Sequence, residues 1–238
     1  MTSLNNAVVL VTGANRGIGE HFVAEALAWG AAKVYATARH PRPWDDDRVV
    51  PLTLDVTDPD SVQAAAEAAP DVTVVVNNAG VAPSTGSLLT LGDDELRSVM
   101  ETNFFGPLQV ARAFAPALTA AESAALIDLH SVLAWYPVAG IYSVSKAALA
   151  SATNALRLEL APSGVQVVGV YMAYVDTAMA AADAPSKIAP ADLVRAVFDT
   201  TEAGGYEVLA DEQTVQVRSV LNQPVDVLHP QLAQAAHS

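Results

Sequence analysis

Thr12-Gly13-Ala14-Asn15-Arg16-Gly17-Ile18-Gly19 follows directly on the apolar run Ala7 to Val11 and opens a helical pattern carried by Phe22, Val23, Ala26 and Leu27. A strand that ends in glycines and turns at once into a helix lets backbone approach a phosphate, with the helix amino terminus facing the negative charge. The stretch therefore reads as a cradle for a pyrophosphate. Taken alone it describes a tight strand-to-helix turn equally well, so the rest of the chain has to decide.

Six further short, apolar, β-branched runs stand at Val34 to Thr37, Val49 to Leu54, Val72 to Val76, Ala125 to Leu129, Val165 to Val170 and Tyr206 to Leu209. Each is nearly continuous, as strands covered on both faces require, and helical patterns of ten or more residues alternate with them. Right-handed crossovers between such strands predict a doubly wound, parallel α/β sheet of about seven strands with helices on both faces. Asp93 to Met100 reads as a helix led by acidic residues, Glu101 to Ala120 as a long apolar one, and Tyr142 to Leu160 as one stopped by Pro162 and Gly164. Glu212 to Leu221 is a further candidate.

With 238 residues and 52% hydrophobic content, the chain predicts one domain, 1–238, around one substantial core. The small and polar residues between Tyr171 and Pro190 read as a short substrate lid near 172–190, outside the carboxyl ends of the strands; an ordinary surface connection would have the same composition.

Twelve Lys and Arg stand against 26 Asp and Glu, a net charge of −14. Such a field repels phosphate backbones and anionic lipid, so neither nucleic acid nor a membrane surface is an expected partner. Asp45-Asp46-Asp47, between prolines and an arginine, reads as an exposed loop, and no metal site is expected. The chain has no cysteine, which fits a reducing compartment. Met1 to Asn6 carries neither a basic nor a long apolar segment, so a cytoplasmic location is the expectation.

Downstream stand Asn77-Asn78-Ala79-Gly80 at the end of the fourth run, Asn103, Ser131, and Tyr142-Ser143-Val144-Ser145-Lys146. In this order, with the TGxxxGxG spacing and the YxxxK pair, the chain resembles the short-chain dehydrogenase/reductase family from Val8 to about Met179, in its shorter-chain subgroup. The resemblance implies a Rossmann-type fold and a catalytic set of Tyr142 as general acid/base, Lys146 lowering its pKa and holding the nicotinamide ribose, Ser131 orienting the substrate oxygen, and Asn103 supporting a water-linked proton path. It also implies cofactor contacts from Gly13, Asn15, Arg16, Gly17, Ile18, Gly19, Asp55, Val56, Asn78, Ala79, Gly80, Val175 and Thr177, and a homodimer or homotetramer.

Independent physical reasons support these roles. Hydride arriving at a carbonyl carbon leaves negative charge on oxygen, so one group must deliver a proton and a second must hold the developing alkoxide. Tyr142 and Ser131 have the chemistry, and a cation at i+4 from the phenol favours its ionised form. His130, beside Ser131, reads as a packed structural histidine.

The end of the second run, Val34-Tyr35-Ala36-Thr37-Ala38-Arg39, carries no acidic side chain. A carboxylate there would hold the adenosine ribose hydroxyls and repel a 2′-phosphate, whereas Thr37, Arg39 and Arg16 can donate to that phosphate. NADP(H) is therefore favoured over NAD(H).

Two departures from the family pattern stand out. Met172-Ala173 replaces a common Pro-Gly, and the segment from Ser131 to Tyr142 is short. Leu133, Trp135, Tyr136, Met172, Ala173, Tyr174 and Met179 are the candidate substrate pocket, an apolar wall suited to a hydrophobic ketone or aldehyde. Reduction of C=N or activated C=C bonds, and a non-catalytic NADP(H)-responsive binding protein, are the competing readings.

Overall fold

The computed structural model describes residues 2–180, 186–229 and 232. All seven apolar runs become strands of one sheet: β1 (Val8–Thr12), β2 (Lys33–Ala38), β3 (Val49–Thr53), β4 (Val74–Asn77), β5 (Ala125–Leu129), β6 (Gln166–Tyr171) and β7 (Glu207–Leu209). Every neighbouring pair is parallel, in the order β3-β2-β1-β4-β5-β6-β7. The unbroken apolar character has its cause here, since every residue of β5 and β6 is buried. Pro51 sits in β3, at the sheet edge, where a missing ladder donor is tolerated.

Alternate side chains divide the core into two layers. On one face α1 (Ile18–Ala28) and α6 (Pro190–Glu202) bury Phe22, Val23, Val197 and Phe198 against Val9, Val11, Ile127 and Val168. On the other, α2 (Pro59–Ala68) and α4 (Gly106–Ala120) bury Val62, Val110 and Phe114 against Leu10, Val75, Leu126 and Val167. Phe198 is fully buried, with its ring edge-on to Phe22 at 5.6 Å and to Trp29 at 5.7 Å. Phe198→Ala is expected to cost about 3–5 kcal/mol through lost burial and the cavity left behind, as read from a urea midpoint.

The helix expected from Glu101 does not begin as an α-helix. The helix α3 (Asp93–Met100) runs into a π-helical turn, Glu101–Phe105, and then into α4, with no break in helical backbone. That wider turn carries Asn103 into the interior, where it is fully buried. The helix α5 (Ile141–Leu160) begins one residue before Tyr142, and α7 (Glu212–Ser219) and α8 (Val225–Leu228) follow β7. No helix among the described residues is long and apolar enough to cross a membrane.

Strand order reverses between β1 and β4, so the loops leaving these neighbours diverge and open a crevice at the carboxyl end of the sheet.

Candidate active site

The glycine loop floors that crevice through three distinct constraints. Gly13 (φ 67°) and Gly17 (φ 59°) occupy left-handed backbone that disfavours other residues. Gly19 has no room for a side chain: a Cβ there would stand 2.3 Å from the Gly13 carbonyl oxygen and 2.7 Å from Asn78 Nδ2. Asn78 completes the turn from β4, giving Nδ2 to Thr12 O at 2.7 Å and to Gly13 O at 3.2 Å. No side chain caps α1 at Gly17, so the first N–H groups of the helix remain available for an anion.

A cleft of about 830 Å³ runs from this loop to the start of α5, and Gly13, Asn15, Arg16, Gly17 and Ile18 line it. Arg39, Asp55 and Val56 line it beyond β2 and β3, together with His40 and Thr57. Asn78, Ala79 and Gly80 form the wall from β4, and Thr177 reaches in from the loop after β6. The residues present fit a dinucleotide: a side-chain-free turn, an uncapped helix end and exposed arginines share one crevice. Arg16, Arg39, Tyr142 and Lys146 would hold it.

Three cofactor assignments change. Thr37 is completely buried, and its hydroxyl donates to Val11 O at 2.9 Å across the β1–β2 pair, so it faces the core and cannot reach a phosphate. Val175 is also buried and lies in a bridge to Ile188. The Asn15 amide ties two loops together, donating to His40 O at 2.8 Å while its oxygen accepts from Arg42 N at 3.3 Å. Its side chain thus fixes the turn that presents Arg39 and His40.

Tyr142 and Lys146 both line the other end of the cleft, which brings the glycine motif and the YxxxK pair into one site. Lys146 Nζ donates to Leu129 O at 2.7 Å and stands 5.8 Å from the centre of the Tyr142 ring. Burial pulls Lys146 down to about 8, partly countered by the negative charge of Asp128. Burial also pushes Tyr142 up to about 12. The cause at Tyr142 is desolvation of the phenolate.

Asn103 is a clamp. Its oxygen accepts from Val81 N at 2.9 Å, and its amide nitrogen donates to Val81 O at 2.9 Å and Ser145 Oγ at 3.1 Å. The side chain joins the loop after β4 to α5, and its hydrogen-bonding groups are occupied there. Ser131 is buried, accepts from Leu133 N at 3.2 Å and donates to Met172 O at 3.4 Å. It caps the short 3₁₀ turn Val132–Ala134, the local device that shortens the segment leading to Tyr142. At the far end of that segment Gly140 (φ 52°) lies against Gly86, whose oxygen would stand 2.2 Å from a Cβ at Gly140.

The apolar wall is smaller than the sequence predicts. Met172 and Met179 line the cleft, joined by Val81, whereas Leu133, Trp135, Tyr136, Ala173 and Tyr174 do not. Trp135 instead stacks on Tyr171 at 4.1 Å beneath the Arg218 guanidinium, and Tyr136 stacks on His229. Both rings find partners in or beside the carboxyl-terminal segment, which turns them away from the site. Hydrogen bonds from Ile188 N to Tyr174 O and from Asp176 N to Ile188 O, both 3.0 Å, close the base of the 172–190 loop; its residues 181–185 lie outside the described ones.

Sequence reasoning missed His40 and Asp128. His40 follows the arginine that drew attention, and nothing distinguishes it from a surface residue. Asp128 did leave a signal, an acidic residue inside an apolar run. It is fully buried, accepts from Asn77 Nδ2 at 2.9 Å and Thr153 Oγ1 at 2.7 Å, and is pushed up by burial. His130, two residues on, is buried with neither ring nitrogen bonded among the described residues, and desolvation holds it well below its usual range, hence neutral.

The model of the short chain dehydrogenase family matches residues 7–187. A short-chain dehydrogenase from Burkholderia cenocepacia, solved in complex with NADP, is 37% identical with a TM-score of 0.89, over 98% of this chain and 99% of that one. A Burkholderia phymatum short-chain dehydrogenase/reductase in complex with NAD is 25% identical with a TM-score of 0.80, over 92% and 94%. The NADPH-dependent 1-acyldihydroxyacetone phosphate reductase of Schizosaccharomyces pombe is 34% identical over 71% of this chain and 60% of its own length. The fold and the site define an NAD(P)-dependent oxidoreductase. This chain belongs to the short-chain dehydrogenase family.

Proposed function

We propose that the protein is an NADPH-dependent reductase of hydrophobic ketones or aldehydes, with Tyr142 delivering the proton. The observation that carries this reading is the convergence of Tyr142 and Lys146 with the glycine cradle on one cleft. When bound, the dihydronicotinamide supplies the hydride. Tyr142, held up to about 12, keeps its proton at neutral pH and gives it to the alkoxide oxygen as negative charge develops there. Lys146, at about 8, is mostly charged at neutral pH and has N–H groups beyond the one given to Leu129 O for a ribose hydroxyl. Ser131 supplies the second hydrogen bond to the oxygen by rotating its hydroxyl hydrogen from Met172 O, with Oγ kept in place on Leu133 N. Met172, Met179 and Val81 favour an apolar acceptor, and the 172–190 loop serves as its lid.

Preference for the phosphorylated cofactor rests on Arg16 and Arg39. Both are exposed in the cleft, and neither forms an ion pair among the described residues of a strongly acidic protein. The NADP complex of the Burkholderia cenocepacia relative supports the same preference. The test is loss of dihydronicotinamide absorbance with NADPH or NADH against a panel of apolar ketones, aldehydes and imines. Arg39→Asp is expected to lower kcat/KM for NADPH by about tenfold or more and to favour NADH, as loss of a charge-assisted bond and gain of a repulsion require. Equal use of both cofactors by the parent protein would overturn the preference.

A further inference from the structure

Beyond β7 the chain returns to the catalytic edge through one carboxylate. Asp211 caps α7: its Oδ1 accepts from Thr214 N at 2.8 Å and its Oδ2 from Thr214 Oγ1 at 3.0 Å. The same Oδ2 accepts the backbone N–H of Ala173 at 2.8 Å. Next to Ala173, the Met172 carbonyl accepts from Val132 N at 2.9 Å and from the Ser131 hydroxyl at 3.4 Å. Met172 also lines the cleft. A run of adjacent bonds thus connects the cap of α7, the end of β6 and the serine.

We propose that Asp211 is a positioning residue for Ser131. Met172 and Ala173 stand where the family commonly has Pro-Gly, and neither restricts its backbone as proline does. The carboxylate supplies the constraint from across the fold. Holding the Ala173 amide fixes the direction of the preceding carbonyl, and that carbonyl sets both the Ser131 rotamer and the start of the 132–134 turn.

An independent grip from the same helix acts on the other side of Met172. Arg218 of α7 lies 5.0 Å over Trp135, Trp135 stacks on Tyr171 at 4.1 Å, and Arg218 is anchored by Glu207 at 3.4 Å. Ala210 N donates to Tyr171 O at 3.0 Å. Residues 171–173 are therefore held from the carboxyl-terminal segment by bonds and by stacking.

The inference rests on the proposed role of Ser131, and a double-mutant cycle separates the two. Asp211→Ala is expected to lower kcat for the best ketone of the panel by about tenfold with KM and NADPH affinity within about twofold. Asp211→Asn keeps one oxygen for the Ala173 amide and is expected to recover activity to within about threefold of the parent. In a Ser131→Ala background, Asp211→Ala should then cost less than about twofold, because its effect passes through the hydroxyl. Full additivity would overturn the proposal. A Ser131→Ala protein with unchanged kcat would overturn the serine assignment itself. Hydrogen exchange gives a readout free of turnover: the Ala173 amide should be protected in the parent and lose protection in Asp211→Ala, with β4 and β5 unchanged. An unprotected Ala173 amide in the parent would remove the proposed constraint.

Discussion

Tyr142→Phe is expected to lower kcat by about 10²–10⁴-fold while leaving NADPH affinity within about twofold. The substitution keeps the ring at the start of α5 and removes only the hydroxyl that carries the proton. The burial that pushes the phenol up to about 12 makes it a poor base and a well-populated acid at neutral pH. Reduction should therefore hold its rate across neutral pH, and alcohol oxidation should climb with pH as the phenolate becomes populated. Lys146 sets the upper limit of that range. As pH passes about 8 its ammonium loses the proton, and the charge that helps a ribose hydroxyl or a phenolate goes with it. A Tyr142→Phe protein that is folded, binds NADPH and turns over at the parent rate would remove the tyrosine from the chemistry. Rapid mixing with the best panel ketone, with NADPH affinity measured by fluorescence titration, separates the two quantities.

Gly19→Ala should abolish cofactor binding. Its methyl would stand 2.3 Å from Gly13 O, a backbone atom, and 2.7 Å from the Asn78 amide that closes the turn. Gly13 itself holds φ 67° and cannot retreat freely, because the space beside it is taken by Ala79. The loop must therefore open, which moves the N–H groups meant for the pyrophosphate. A loss of at least about a hundredfold in NADPH affinity is expected, since several charge-assisted bonds go together. Fluorescence titration checks it, with circular dichroism to verify that the sheet persists. Near-parent affinity would show that the pyrophosphate does not depend on this turn.

The sheet was legible in the sequence because its five central strands are buried along almost their whole length, so apolar runs mark them directly, and the more exposed edge strands β3 and β7 keep short runs of the same kind. The glycine cradle and the Tyr142–Lys146 pair were legible for a related reason. They are local spacings, each confined to a turn or a single helical step. The substrate wall was not. Trp135 and Tyr136 are apolar and lie next to Ser131 in sequence, yet their partners, Tyr171, Arg218 and His229, are distant along the chain and appear only once the carboxyl-terminal segment is folded back. Thr37 failed differently. Its position at the end of β2 is right, but its hydroxyl is committed to Val11 O inside the sheet, and the chain reaches the cleft only at Ala38 and at Arg39, beyond the strand. The π-helical turn at Glu101–Phe105 left no trace in a pattern whose apolar positions suit an α-helix as well.

The contact between Gly86 and Gly140 has a practical corollary for loop grafting. One backbone lies directly on the other, with Gly86 O filling the place a side chain would occupy on Gly140. The 84–87 stretch and the 132–140 stretch are consequently a single exchangeable module. A longer 132–140 loop from a relative, transplanted alone to widen acceptor scope, would collide with residue 86 and tilt the first turn of α5, carrying Tyr142 with it. Transplanted as a pair, the two stretches would keep their mutual fit and change only the mouth.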